Sequence, residues 1–141
     1  MDGIDFSSIP EGENIKWVDL VRAINATTND KKIYLSASPQ CVIPDYYLGE
    51  AIETGLFDYI WVEYFYYNPC EYLEGNSANL LESWNKWTSN IVLPNNTVFL
   101  GIPASSDATG SGYIEPEVLT SEILPELKKA SNYGGIMLYN R

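Results

Sequence analysis

An α/β fold resting on a five-stranded parallel sheet is what this 141-residue sequence predicts, and three observations carry the prediction. Short apolar runs alternate with helical patterns in the order βαβαβαβαβ, and strands separated by helices run parallel through right-handed crossovers. Small and polar residues gather just after each strand: Ser7, Ser36, Glu63 to Asn68, Ser105 and Asn140. In a (β/α) barrel such positions form the C-terminal face, where sites are built. Five strands do not close a barrel that needs eight, so the sheet is either open in itself or part of a larger barrel.

Each element has its own signal. The opening "MDGIDFSSIPEGEN" starts as a strand ending in acidic residues and then turns to Ser7, Ser8, Ile9 and Pro10. "KWVDLVRAIN" places Trp17, Leu20, Val21 and Ile24 on one helical face. "KKIYLSASPQC" is a strand closing on small residues and Pro39, and "DYYLGEAIETG" a short helix stopped by Gly55. "FDYIWVEYF" has the aromatic and β-branched content of a strand. "SANLLESWNKWT" is a helix presenting Leu80, Leu81, Trp84 and Trp87, and "TVFLGIPAS" another strand. "EPEVLTSEILPELKKA" is a helix with Pro116 near its first position and Pro125 bending or interrupting it. "YGGIMLYN" is the last strand. Strands are thus expected near residues 2–6, 32–36, 59–64, 97–102 and 134–138.

Composition narrows the function. The length suits a single domain, and 45% hydrophobic with 19% charged residues is globular. A net charge of −11 argues against nucleic acid and anionic membranes, which require a basic footprint. No histidine is present, which excludes histidine triads and bases and most zinc sites, so neither metal nor cofactor is expected. No apolar run approaches the ~20 residues of a membrane span, and no signal-peptide pattern heads the sequence. Cys41 and Cys70 are either two buried thiols or one disulfide formed in an oxidising compartment. Two sequons, at Asn25 and Asn95, are candidate N-glycosylation sites compatible with secretion.

From "DGIDF" through "PDYYLGEAIETGLFDYIWVEYFYYNPC", "SWNKWT", "FLGIPAS" and "SGYIEPEVL" to "ILPELKKASNYGGIMLY", the sequence resembles the second part of a plant class III chitinase of the hevamine type, in glycoside hydrolase family 18. The resemblance covers residues 1–141 and implies an incomplete TIM (β/α)8 barrel, with about five parallel strands corresponding to the fourth to eighth. It also implies a secreted, extracellular or vacuolar protein, and it identifies Cys41 and Cys70 with a family disulfide joining the loops after the fifth and sixth strands.

The family signature is D-G-x-D-x-D-x-E, whose alternate acidic residues share one face of a strand. In the mechanism the resemblance implies, the final Glu protonates the leaving oxygen and the substrate's own acetamido carbonyl attacks, an exception to the two-carboxylate scheme. Asp2, Gly3 and Asp5 match this pattern. Ser7 stands where the acetamido-orienting Asp belongs, Ile9 where the acid belongs, Phe65 at the position of a Tyr, Glu63 at that of a Gln and Tyr139 at that of a Trp. Serine and isoleucine supply no proton near neutral pH. The expectation is therefore a non-catalytic chitinase-like protein that binds, inhibits or stores, with chitooligosaccharide or another glycan as partner. The alternative is a fragment of an active secreted endochitinase that hydrolyses β-1,4-linked N-acetylglucosamine polymers. Separately, the segment after Phe6 is one residue longer than the family pattern, and a bulge there would bring Glu11 toward the vacant acid position. Glu63 beside Asp5 would form a carboxylate pair with one raised pKa.

Asp5, Glu63, Tyr64, Tyr66 and Tyr139 are the candidate carbohydrate contacts, with Phe65 and Tyr67 in the same aromatic cluster. Trp17, Trp84 and Trp87 are read as helix packing. The first and last strands are expected to be open edges, with Ile4, Ile60, Val62 and Leu100 on the uncovered face. Such edges favour self-association.

Overall fold

The computed structural model describes residues 2–7, 17–27, 32–66, 69–89 and 96–140. Strands β1 (Gly3–Ser7), β2 (Tyr34–Ser38), β3 (Tyr59–Glu63), β4 (Thr97–Pro103) and β5 (Tyr133–Tyr139) form one sheet in sequential order, and every pairing is parallel. This is the α/β architecture expected from the alternation, and β1 and β5 are its edges.

One face of the sheet is covered by helices α1 (Trp17–Ala26), α2 (Gly49–Ile52) and α3 (Ala78–Thr88), and by the segment from α4 (Pro116–Val118) to α5 (Leu124–Leu127). Phe6, Leu35, Ala37, Ile60, Val62, Val98, Leu100 and Ile102 meet Val21, Leu48, Leu80, Trp84, Trp87, Ile123 and Leu127 in a single buried core. Hence Ile60, Val62 and Leu100, expected on the uncovered face, are fully buried under the helices, and Ile4 packs against the same core. The correction follows from strand parity. Register pairs Ile60 with Ala37 and Val98, and Leu100 with Val62 and Ile136, keeping aliphatic residues together on the helix side.

The open face carries aromatic and polar residues instead. Tyr34 stacks on Tyr59 at 6.0 Å, Tyr59 on Trp61 at 5.8 Å, and Trp61 leans on Phe99 at 4.2 Å between ring centroids. Gly101 lies beside this stripe because a Cβ there would come within 2.7 Å of the Val62 carbonyl oxygen and 2.8 Å of Met137 Cε.

The helices follow their patterns with two departures. Trp17 meets Phe6 edge-on at 5.4 Å and Val21 is buried, but Leu20 is 45% exposed, so the buried stripe of α1 is narrower than its periodicity suggests. In the last crossover, Pro125 has no N–H and its ring crowds the carbonyl four residues back. The chain relieves this with a π-turn over Leu119–Ile123, in which the Leu124 N–H donates to the Leu119 carbonyl. Trp84 and Trp87 are buried packing residues, and the Trp87 indole donates to the Cys41 carbonyl at 3.0 Å.

Candidate functional site

The C-terminal ends of the strands bring together most of the residues singled out from the sequence. Register sets Asp5 beside Ser36 and Ser7 beside Ser38. The Ser36 hydroxyl donates to Asp5 Oδ1, and the Ser38 hydroxyl donates to Oδ2 at 3.2 Å. Asp5 is thus engaged through both oxygens by neutral donors. Ser7, the last residue of β1, is exposed.

Glu63 closes β3 with its backbone fixed on both sides: its N–H donates to the Pro39 carbonyl at 2.8 Å, and its carbonyl accepts from the Cys41 N–H at 3.2 Å. Burial raises its carboxyl to about 7, and the nearby carboxylates of Asp5 and Asp45 add to the rise. No cation offsets this among the described residues, whose ion pairs are Lys32–Asp58, Lys86–Glu82 and Lys129–Glu126. Near neutral pH Glu63 can therefore either donate or accept a proton in a hydrogen bond.

The aromatic candidates separate after β3. Tyr64 leaves the set of carbohydrate contacts: it is fully buried, its phenol hydrogen-bonded to the Ser83 hydroxyl of α3 at 3.2 Å. Alternation turns position 64 toward the helices and position 65 toward the open face. Phe65 is buried there under Tyr139, the rings stacked at 4.7 Å and 29°. Tyr66 is 59% exposed at φ +61°, and its N–H donates at 3.2 Å to the Ser111 hydroxyl, which in turn donates to buried Glu71 at 2.8 Å. Gly112 makes this meeting of loops feasible at φ +82°, where a Cβ would lie 2.3 Å from the Tyr64 carbonyl oxygen. Ile9, Glu11, Tyr67 and Asn95 lie outside the described residues. Asn25 is exposed in the last turn of α1, and the Thr27 hydroxyl donates to the Ile24 carbonyl.

Cys41 and Cys70 form a disulfide with Cα atoms 5.9 Å apart, joining the loops that follow β2 and β3. Between Cys41 and α2, Asp45 is only 5% exposed. Its carboxylate accepts from the backbone N–H groups of Gln40 at 2.9 Å, Tyr47 at 2.9 Å and Leu48 at 2.6 Å. Ser38, Asp45, Glu71 and Ser111 went unrecognised as site builders in the sequence. The Asp after Pro44 had a turn-forming signal, whereas Ser111 and Glu71 meet only through tertiary structure.

No protein-family model matches the chain. An acidic endochitinase of Arabidopsis thaliana is 48% identical over 142 aligned residues, covering all of this chain and 46% of that protein. Among solved structures, a tamarind chitinase-like lectin superposes with a TM-score of 0.90 at 46% identity, over 99% of this chain and 51% of that one. A xylanase and α-amylase inhibitor protein from Scadoxus multiflorus superposes with a TM-score of 0.91 at 35% identity, over 99% and 50%. The chain spans about half the length of the relatives it matches.

Proposed function

Because the chain belongs to the chitinase-like proteins of glycoside hydrolase family 18, we propose that it binds glycans of the chitooligosaccharide class without hydrolysing them. The observation that supports this most directly is the end of β1, where Asp5 is occupied by two serine hydroxyls and the next residue facing the same way is Ser7. A hydroxyl does not act as general acid near neutral pH. Phe65, buried under Tyr139, carries no phenol that could hydrogen-bond an acetamido group. Glycan binding draws on what remains: ring faces for the apolar sides of sugars, and Asp5 and Glu63 as hydrogen-bonding groups. A similar protein described as a lectin is in keeping with this reading. The disulfide accords with secretion or a vacuolar location, since such bonds persist in oxidising compartments.

The relative described as an acidic endochitinase supports a second reading, in which these residues are part of an active enzyme. One preparation separates the two. Binding of chitohexaose together with background turnover of a chromogenic chitooligosaccharide is the expected result. Saturable hydrolysis would overturn it, and its loss on Glu11→Gln would identify the acid.

A further inference from the structure

On the loop between β2 and α2, Tyr46 is 88% exposed and Tyr47 38% exposed. Their rings meet edge to face at 4.9 Å and 84°. An aromatic side chain this exposed forgoes the burial that normally stabilises it. The loop beneath is nevertheless tightly held. The Asp45 carboxylate gathers three backbone N–H groups, Leu48 is fully buried, and the Cys41 carbonyl accepts from both the Ser83 hydroxyl and the Trp87 indole. The two rings are therefore presented on a rigid base.

Their location relates them to the strand ends. Gln40, which donates its N–H to Asp45, forms a parallel bridge with Glu63, and Asp45 is close enough to raise the Glu63 carboxyl. The tyrosine pair thus rises from the loop whose Gln40 and Asp45 adjoin Glu63, and Tyr139 closes β5 at the same end of the sheet.

Resting on the glycan-binding reading above, we infer that Tyr46 and Tyr47 form an outer sugar platform, engaged only by oligosaccharides long enough to extend past the strand ends. Tyrosine suits this role because its flat apolar ring face matches the C–H face of a pyranose. The acidic neighbours Asp45, Glu50 and Glu53, on a chain of net charge −11, impose no repulsion on an uncharged glycan.

The test is calorimetric titration of the protein with chitobiose and chitohexaose. Tyr46→Ala should weaken chitohexaose about tenfold while leaving chitobiose unchanged, as expected for the loss of one stacked ring. Tyr46→Phe should retain wild-type affinity, because the ring and not the hydroxyl carries the contact. Equal chitohexaose affinity in wild type and Tyr46→Ala would overturn the platform alone. Failure of the wild-type protein to bind either sugar would overturn the glycan reading itself. Circular dichroism of the variants confirms that the fold is intact.

Discussion

Glu63 has a carboxyl raised from the usual carboxylate range to about 7, first by burial and then by Asp5 and Asp45. In the unfolded chain a glutamate titrates near ~4.3. Between those values the folded protein holds the extra proton, so the contribution to stability is fully present below pH ~4.3 and is lost as pH rises through about 7. Glu63→Gln keeps the side-chain shape and removes the charge. The urea midpoints of wild type and variant should coincide near pH 4, and the variant should be the more stable at pH 8. Parallel midpoints across that range would show that Glu63 does not titrate as described. Asp5 makes a separate prediction, because Ser36 and Ser38 both donate to it. Asp5→Ala should cost about 0.5–1.5 kcal/mol through the loss of its hydrogen bonds at an exposed strand end, read from the same denaturation curves.

The loops after β2 and β3 are joined by the Cys41–Cys70 disulfide across a sequence separation of 29. Closing a loop of that size removes unfolded-state entropy worth about 3–4 kcal/mol in the chain-entropy model. The Cys41→Ser, Cys70→Ser double variant should lose stability of that order, with every amide that exchanges through global unfolding losing protection by the same amount. An unchanged denaturation midpoint would refute it. Strand order and direction were legible in the residues because apolar runs alternate with amphipathic helices in a regular rhythm. Which face each strand turns to the helices was harder to read. "IWVEYF" is apolar on both sides, so alternation alone left Ile60 and Val62 interchangeable with Trp61, and Tyr64 with Phe65. Only the helices over one face decide between them. Pro125 gave a clear warning of an irregular crossover, yet the π-turn placed before it is a tertiary compromise. The site was legible in part: Asp5, Glu63 and Tyr139 are where the strand ends put them, but the serines and the buried Asp45 that organise them have no distinctive local pattern.

Among the described residues the sheet ends at β1 and β5, neither paired with a further strand, and its open face carries an aromatic stripe from Tyr34 to Phe99. Edges of this kind recruit further strands, and exposed aromatic surface favours association. As an isolated 141-residue chain the protein should therefore elute as dimers or larger species in light-scattering chromatography, despite its net charge of −11. A monomer that unfolds in one sharp cooperative transition would show instead that the sheet is self-sufficient. The stripe also has an optical consequence. Of the four tryptophans, Trp84 and Trp87 are buried, Trp17 packs on Phe6, and Trp61 alone stands in the stripe. Its fluorescence is consequently a local reporter of whatever covers that face: association there should shift its emission to the blue and shield it from iodide quenching, and Trp61→Phe should silence both signals.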